Sequence, residues 1–184
     1  MANRLTDSST GSLTIAELGN PVLRSPAKAV SNIQDPAFQQ LIDDLISTTI
    51  ECNGVGIAAP QVSQSLRLFI VASRPNIRYL HAPKMAPTPM INPQILSYSD
   101  AVVMGWEGCL SVPGLRGLVK RSKEIEVLYT DRHGQQQQRT FTDFVARIIQ
   151  HEYDHINGKV FLDRVESTLD LMSEAEYHSR IVCG

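Results

Sequence analysis

Residues 142–158 read TDFVARIIQHEYDHING, and the fold is predicted outward from this stretch. The stretch predicts a helix that begins near Thr142 or Asp143 and ends at Asn157-Gly158. Apolar residues recur along it at helical spacing, so one face can pack into a core while the other meets solvent. We therefore expect this helix to lie at the centre of the domain.

A continuous stripe runs along one face of this helix, with successive spacings of four, three and four residues. The stripe consists of Phe144, Ile148, His151 and His155. Residues at these spacings share a helix face, so both histidines are expected to point inward beside apolar side chains. Two buried imidazoles next to Glu152 need hydrogen bonds or a metal ion to be stable there. The stripe therefore favours a metal site over a pair of surface histidines among acidic neighbours.

The two histidines stand one helical turn apart, so both rings can reach a single ion. Glu152 lies beside them, near enough to exchange a proton with a water on that ion without being a ligand itself. A divalent ion brings the pKa of such a water close to neutrality, which makes this exchange useful for hydrolysis. The segment therefore predicts a metallohydrolase.

Two histidines leave an ion short of ligands, and residues 107–111, EGCLS, contain a further candidate in Cys109. A thiolate there would partly neutralise the ion and tune its water. A small buried cysteine that only fills core space is the alternative. The spacing alone does not decide between a ligand and a packing residue.

Residues 54–61 read GVGIAAPQ, a run of small residues that ends in an amide. Glycine and alanine let the backbone of a ligand lie close to that of the protein. Gln61 supplies a donor that could stabilise a developing oxyanion. A phosphate-binding loop is disfavoured because no Lys-Ser/Thr pair follows and no strand precedes the run. A plain connection between a helix and a strand remains open.

The rest of the chain predicts a helix near one end and strands in the middle. Asp35 can cap a helix that runs from about Pro36 to Glu51. The segments expected after it are strands at 66–72, 89–96 and 124–130, a polar partner strand that ends near Phe141, a surface loop at 74–87 and a weaker helical tail from about Ser167. The expected fold class is therefore α+β, a single domain with mostly antiparallel strands around a central metal-binding helix and an N-terminal helix.

Size and composition fit one metallohydrolase domain over residues 13–184, preceded by a flexible tail at 1–12. A net charge of −2 gives no electrostatic support for nucleic-acid binding. No apolar run approaches the roughly 20 residues of a membrane helix, and the N-terminus lacks the apolar core of a secretory signal. Three widely spaced cysteines fit a reducing compartment, so a cytoplasmic protein is expected.

Together and in this order, the three motifs resemble those of the peptide deformylase family. That family carries a glycine-alanine-glutamine motif, a Glu-Gly-Cys-Leu-Ser motif and a helix with a histidine-glutamate pair, and all three stand intact here. The opening stretch from Ile15 to Arg24, which contains GNPVLR at residues 19–24, also looks like the start of the family. The likeness covers roughly Leu13 to Arg164.

The resemblance implies a role for each motif. It implies three metal ligands, which are Cys109, His151 and His155, with water in the fourth position. Glu152 would act as general base and then as general acid. Gln61 and the backbone N–H of Leu110 would hold the oxyanion that forms when water attacks the formyl carbon.

The resemblance also implies substrate contacts. Gly56 would lend backbone hydrogen bonds to the substrate, and Arg116 would lie near the cleft. Val55, Phe144 and Ile148 are candidates for an apolar pocket that receives a methionine side chain. This pocket is a hypothesis that follows from the inward-facing stripe.

The implied reaction releases formate from N-formylmethionyl peptides and nascent chains, near the ribosome. One divalent ion would serve as cofactor, usually Fe²⁺, with Zn²⁺ or Ni²⁺ able to replace it. We expect a monomer that contacts neither nucleic acid nor membrane. The main alternative is a metallopeptidase of the His-Glu-x-x-His type, which would not need Cys109. A closed structural zinc site would need a fourth protein ligand, and neither alternative explains Gln61.

Arg147 lies four residues before His151, where an apolar or small residue is easier to explain at a pocket wall. Two arrangements remain open for it. The side chain bends outward and pairs with a carboxylate, or it narrows and charges the rim of the pocket. Gly105, just before Trp106, likewise leaves the shape of the pocket open.

Overall fold

The computed structural model describes residues 13–183, so the tail predicted at 1–12 lies outside the described part of the chain. The helices are α1 (Pro36–Glu51), α2 (Asp143–Ile156) and the short α3 (Glu174–Tyr177). The strands are β1 (Gly56–Ala58), β2 (Leu68–Val71), β3 (Thr88–Tyr98), β4 (Val102–Cys109), β5 (Val112–Ser122), β6 (Glu124–Thr130), β7 (Gln136–Thr142) and β8 (Leu171–Ser173). Short 3₁₀ turns lie at Pro21–Arg24, Ala59–Val62, Phe161–Arg164 and Thr168–Asp170, and a π turn lies at His178–Val182.

Helix α2 packs against two antiparallel sheets. The larger has the strand order β1-β2-β3-β6-β7, and the smaller has the order β4-β5-β8. Helix α2 contacts β1, β2 and β7 of the larger sheet and β5 of the smaller one. The predicted fold class, an α+β domain of antiparallel strands with an N-terminal helix, is confirmed.

Helix α1 has the predicted bounds because its start is specified locally. The Asp35 side chain accepts hydrogen bonds from the Ala37 and Phe38 N–H groups, and Pro36 occupies the first turn. Phe38, Ile42 and Leu45 lie in a core cluster with β2. Burial of each such side chain contributes about 2 kcal/mol, so this helix anchors the sheet edge that carries β1.

Helix α2 presents its predicted stripe to the interior. Ile148 and His155 are buried, and His151 is nearly so. The helix ends at Asn157, and Gly158 follows with a φ of +73°. A Cβ at Gly158 would also lie 2.8 Å from the carbonyl oxygen of Arg24, so glycine is required on both counts.

Strands β4 and β5 were not predicted from the sequence. They form a hairpin whose pairing is irregular between Glu107 and Cys109. Glycines at 105, 108, 114 and 117 interrupt the alternation that marks a strand, which hides both strands from a pattern search. The tail predicted from Ser167 forms a 3₁₀ turn, strand β8 and α3 in place of one helix.

The strands predicted at 66–72, 89–96 and 124–130 are present as β2, β3 and β6, and the last pairs with β7 as a hairpin. The stretch 74–87 is a connection between β2 and β3, as expected. None of the helices within residues 13–183 has the length and apolar character that crossing a bilayer requires.

Candidate active site

Three donor atoms from two parts of the chain meet at one point in the interior. The thiol of Cys109, at the end of β4, and a ring nitrogen each of His151 and His155 on α2 all lie within 4.8 Å of one another. The Cys109 sulphur lies 3.2 Å from His155 Nε2. All three residues predicted as metal ligands are therefore brought together, and Cys109 is part of a group that could hold an ion.

The chemistry of this group fits a divalent metal ion. Burial raises the pKa of the Cys109 thiol, but His155 and His151 outweigh burial and hold this pKa well below its ordinary value. The thiolate is the form of cysteine that ligates metals. His155 Nδ1 is buried and has no hydrogen-bond partner among the described residues. A thiolate with two imidazoles is a donor set suited to zinc, iron or nickel.

Glu107 orients one of these histidines from behind. Its Oε2 lies 2.9 Å from His151 Nδ1, and its two oxygens accept hydrogen bonds from Arg121 at 3.0 and 2.9 Å. Burial raises the pKa of Glu107, but Arg121 and His151 outweigh burial and hold it well below its ordinary value. A charged carboxylate on Nδ1 leaves Nε2 of His151 free to face an ion.

The same network reaches Asp154, which stands between the two histidines in sequence. Arg121 Nη1 donates to Asp154 Oδ2 at 2.7 Å, and Arg164 donates to the same carboxylate. Asp154 and Arg121 are both buried. Sequence reasoning gave Asp154, Arg121 and Glu107 no role, although a carboxylate two residues before a candidate ligand is a usable indication.

Glu152 is buried beside the three donor residues, and its Oε2 has no hydrogen-bond partner among the described residues. Burial raises the pKa of Glu152 to about 7, against the lowering effect of His151 and His155. A Cβ at Gly56 would lie 2.5 Å from Glu152 Oε1, so glycine leaves the space that this carboxylate occupies. The pKa suits a group that exchanges protons near neutral pH.

The Gln61 amide group faces the three donors Cys109, His151 and His155. Its Oε1 accepts from the Ala58 N–H at 2.8 Å, which fixes the orientation of the side chain. Its Nε2 donates to Cys109 Sγ at 3.4 Å and to Ser111 Oγ at 3.2 Å. The amide donor predicted at Gln61 therefore lies within hydrogen-bond distance of Cys109. Leu110 follows Cys109 in the β4–β5 connection and lines the cleft.

A cleft opens onto this centre. It is lined by residues of all three motifs and of the 74–87 loop, which are Gly54, Val55, Gly56, Gln61, Arg78, Tyr79, Trp106, Glu107, Gly108, Cys109, Leu110, Phe144, Arg147, Ile148, His151 and Glu152. Four of the five residues predicted to bind substrate are among them. Sequence reasoning missed Arg78 and Tyr79, because loop residues carry no periodicity that points them at a site.

The fifth, Arg116, lies behind the cleft wall and is fully buried. A Cβ at Gly108 would lie 2.8 Å from Arg116 Nη1, so the guanidinium packs directly against the backbone of Gly108. Arg116 also donates to Tyr79 Oη at 3.2 Å and to Glu174 Oε1 at 2.7 Å. Arg116 therefore lies near the cleft and contacts residues that line it, but it does not line the cleft itself.

Arg147 combines the two arrangements that the sequence left open. Its Nη1 donates to Glu107 Oε1 at 2.8 Å, and its Nη2 donates to the Val103 carbonyl at 2.6 Å. The side chain nevertheless turns inward and lines the cleft. A Cβ at Gly105 would lie 2.8 Å from Arg147 Cζ, so the glycine leaves room for the guanidinium.

Known proteins are similar to this chain in both sequence and fold. The model of the family described as polypeptide deformylase matches residues 12–170. Peptide deformylase 2 of Nostoc is 63% identical over 92% of this chain and 94% of its own length. Peptide deformylase 2 of Shewanella oneidensis is 46% identical over 83% of each chain.

Solved structures agree with these sequence matches. A class I type b peptide deformylase from Acinetobacter baumannii, bound to Met-Ala-Ser, superposes with a TM-score of 0.83 at 45% identity. The match covers 85% of this chain and 99% of that one. The peptide deformylase of Thermotoga maritima gives a TM-score of 0.76 at 34% identity, with the same coverage. With the three motifs gathered at one cleft, these matches show that the chain belongs to the polypeptide deformylase family.

Proposed function

We propose that the cleft removes the formyl group from formylmethionine at the N-terminus of newly made polypeptides, with each motif in a distinct role. The observation that carries this proposal is the convergence of Cys109, His151 and His155 with Glu152 and Gln61 at one end of a glycine-lined cleft. A closed structural zinc site is disfavoured, because the group formed by the described residues offers three donors and not four. A metallopeptidase would leave the place of Cys109 in this group unexplained.

We propose that the three donors hold one divalent ion, Fe²⁺ in the cell, with Zn²⁺ or Ni²⁺ able to replace it. Such an ion supplies a Lewis acid that polarises the formyl carbonyl and lowers the pKa of water. The donor set supports a borderline-soft ion over magnesium or calcium, which prefer oxygen ligands. The network of Glu107 and Arg121 keeps His151 in the tautomer that such an ion needs.

The residues around the ion would do the work of orientation and proton transfer. Glu152 accepts the proton of the attacking water and returns it to the amine nitrogen that leaves as the formyl C–N bond breaks. The Gln61 amide and the Leu110 N–H donate to the oxyanion formed on the formyl oxygen. The backbone of Gly56 pairs with the peptide, since the missing side chain allows a close approach.

The decisive experiment is release of formate from formyl-Met-Ala-Ser by protein loaded with nickel or kept anaerobic with iron. We expect turnover with both ions and none with acetyl-Met-Ala-Ser, because the acetyl methyl group needs space that a cramped site lacks. Internal cleavage of the peptide would indicate the metallopeptidase instead. If neither metal form released formate, the proposed function would be wrong.

The apolar part of the cleft is proposed as the methionine pocket. Val55, Phe144 and Ile148 all line it. Phe144→Ala should reduce the preference for formyl-Met over formyl-Ala peptides about tenfold, which corresponds to roughly 1.4 kcal/mol of lost apolar contact. The ratio of kcat/KM values for the two peptides measures this preference.

The control is Phe141→Ala, which removes a half-buried ring of β7 that packs on the core and does not line the cleft. It should lower stability and leave the preference unchanged. An unchanged preference in Phe144→Ala as well would show that methionine binds elsewhere.

We further propose that the protein acts in the cytoplasm as a monomer, on nascent chains near the ribosome and without direct nucleic-acid contact. The net charge of −2 supports the last point, since a nucleic-acid surface needs a basic footprint. Light scattering coupled to gel filtration would measure the oligomeric state. The boundary of the metallohydrolase domain at residue 13 also stays a prediction.

A further inference from the structure

Glu174, at the start of α3, lies between two arginines from different parts of the fold. Its Oε1 accepts from Arg116 Nη2 at 2.7 Å and lies 3.5 Å from Arg78 Nη2. Arg116 belongs to β5, and Arg78 belongs to the loop 74–87. One carboxylate of the C-terminal segment therefore joins a strand of the smaller sheet to a loop that extends from the larger one.

Aromatic side chains extend this connection. The guanidinium of Arg116 lies 4.8 Å from the ring centroid of Tyr177 and 5.6 Å from that of Tyr79. A guanidinium over an aromatic face is attracted by the ring quadrupole. Tyr177 also meets Trp106 edge-on, with 5.9 Å between the ring centroids. Tyr177 of the C-terminal segment thus contacts Trp106 on the wall of the cleft directly. It is linked to Tyr79, also on that wall, through Arg116.

The base and the tip of the loop 74–87 are held differently. At the base, Ser73 Oγ donates to the Pro83 carbonyl, and Arg74 donates to the carbonyls of Gly54 and Ile50. At the tip, residues 77–81, the side chains of Ile77 and Leu80 are 70% and 59% exposed. So much exposed apolar surface gives the tip little packing of its own.

Asn76 and Tyr79 exchange backbone hydrogen bonds that close the tip as a local turn. The two side chains of the tip that face the cleft join this turn to other parts of the fold. Arg78 pairs with Glu174, and Tyr79 bonds to Arg116 and packs on Phe144 with 5.3 Å between ring centroids. Arg78, Tyr79 and Phe144 also border a second groove, which continues from the cleft towards Tyr177 and Ile181. A polypeptide that leaves the methionine pocket on this side would pass over the tip.

We propose that Glu174 is a positioning residue for substrate binding, which holds the loop tip so that Arg78 and Tyr79 stand ready to contact the peptide beyond its methionine. This proposal rests on the proposed function, because it takes the cleft as the binding site of the formylated peptide. Glu174 itself is not among the residues that line the cleft. Because Glu174 already holds the loop tip, less conformational entropy is lost when the peptide binds.

The test compares Glu174→Gln with a control, Glu176→Gln, which changes an exposed carboxylate of the same helix. For formyl-Met-Ala-Ser, we expect Glu174→Gln to raise KM about fivefold and to leave kcat within about twofold, because only the cost of binding changes. Formyl-Met amide, which ends at the methionine, should be little affected. The control should match the parent protein on both substrates.

A purely structural role for Glu174 would lower kcat through a smaller active fraction and leave KM unchanged, and this result would overturn the proposal. Equal effects on the long and the short substrate would also overturn it.

Hydrogen exchange supplies a second readout that needs no turnover. Amides of the tip, residues 77–81, should exchange faster in Glu174→Gln than in the parent, while those of α2 should keep their rates. Unchanged exchange at the tip would refute the proposal even if the parent protein released no formate. The failure of the positioning role and the failure of the proposed function are therefore distinguishable.

Discussion

Glu152→Gln should lower kcat for formate release about a thousandfold, while the protein keeps its metal ion. Loss of a positioned general acid–base group typically costs 10²- to 10⁴-fold, so about a thousandfold is the middle of that range. Glutamine has nearly the shape of glutamate, but it cannot accept a proton from water or return one to the leaving amine. The three-donor group does not include Glu152, so the ligands stay in place.

Two measurements on the same sample check this result: the rate of formate release, and the metal content by elemental analysis. Glu166→Gln, at an exposed position outside the cleft, is the matched control and should behave as the parent does. If Glu152→Gln lost its metal together with its turnover, Glu152 would be a metal ligand and not the proton carrier.

Glu107→Ala should weaken metal binding and destabilise the fold at the same time. Removal of a carboxylate that orients a metal-binding histidine typically costs 10- to 100-fold in affinity, so a loss of about thirtyfold is expected here. The same change leaves Arg121 with one carboxylate fewer in a buried setting. Breaking a buried ion pair by removing one partner costs about 3–5 kcal/mol, and the metal-free protein should lose stability of that order.

Competition with a chelator measures the affinity, and denaturant unfolding of the metal-free protein measures the stability. Glu107→Gln is the second variant, since it keeps one acceptor oxygen and should fold even if the alanine variant does not. Glu124→Ala, which removes an exposed carboxylate from β6, should change neither quantity. Unchanged metal affinity in Glu107→Gln would mean that the contact with His151 does not orient the ring.

The parts of the fold that could be predicted are those determined by residues that are close together in the sequence. The bounds of α1 follow from Asp35 and Pro36, and the inward face of α2 follows from spacing within one helix. Strands β4 and β5 escaped prediction because their glycines serve the packing of distant side chains. Gly108 makes room for Arg116 and Gly105 makes room for Arg147. No local sequence pattern indicates either of these contacts.

The candidate site divides in the same way. The histidine pair could be found from one helix, but spacing left Cys109 undecided until the resemblance supplied its role. Glu107 belongs to a motif that the sequence shows. Its partner Arg121 lies on another strand and comes next to it only because β4 pairs with β5. The contact of Glu174 with Arg78 joins segments that no sequence pattern relates. Tertiary contacts between charged groups are therefore what the sequence alone leaves out.

Gly56 and Gly108, which line the cleft, and Gly105, which lies outside that lining, each face a charged side chain that fills the volume of their missing side chain. Their partners are Glu152, Arg116 and Arg147. Because each partner occupies the space next to its glycine, a larger residue at the glycine position requires that partner side chain to move. A larger residue at 105 would displace the guanidinium of Arg147 from its contacts with Glu107 and with the Val103 carbonyl. Libraries that randomise positions 105 and 147 together would therefore test pairs of side chains that share this space, which single substitutions cannot do.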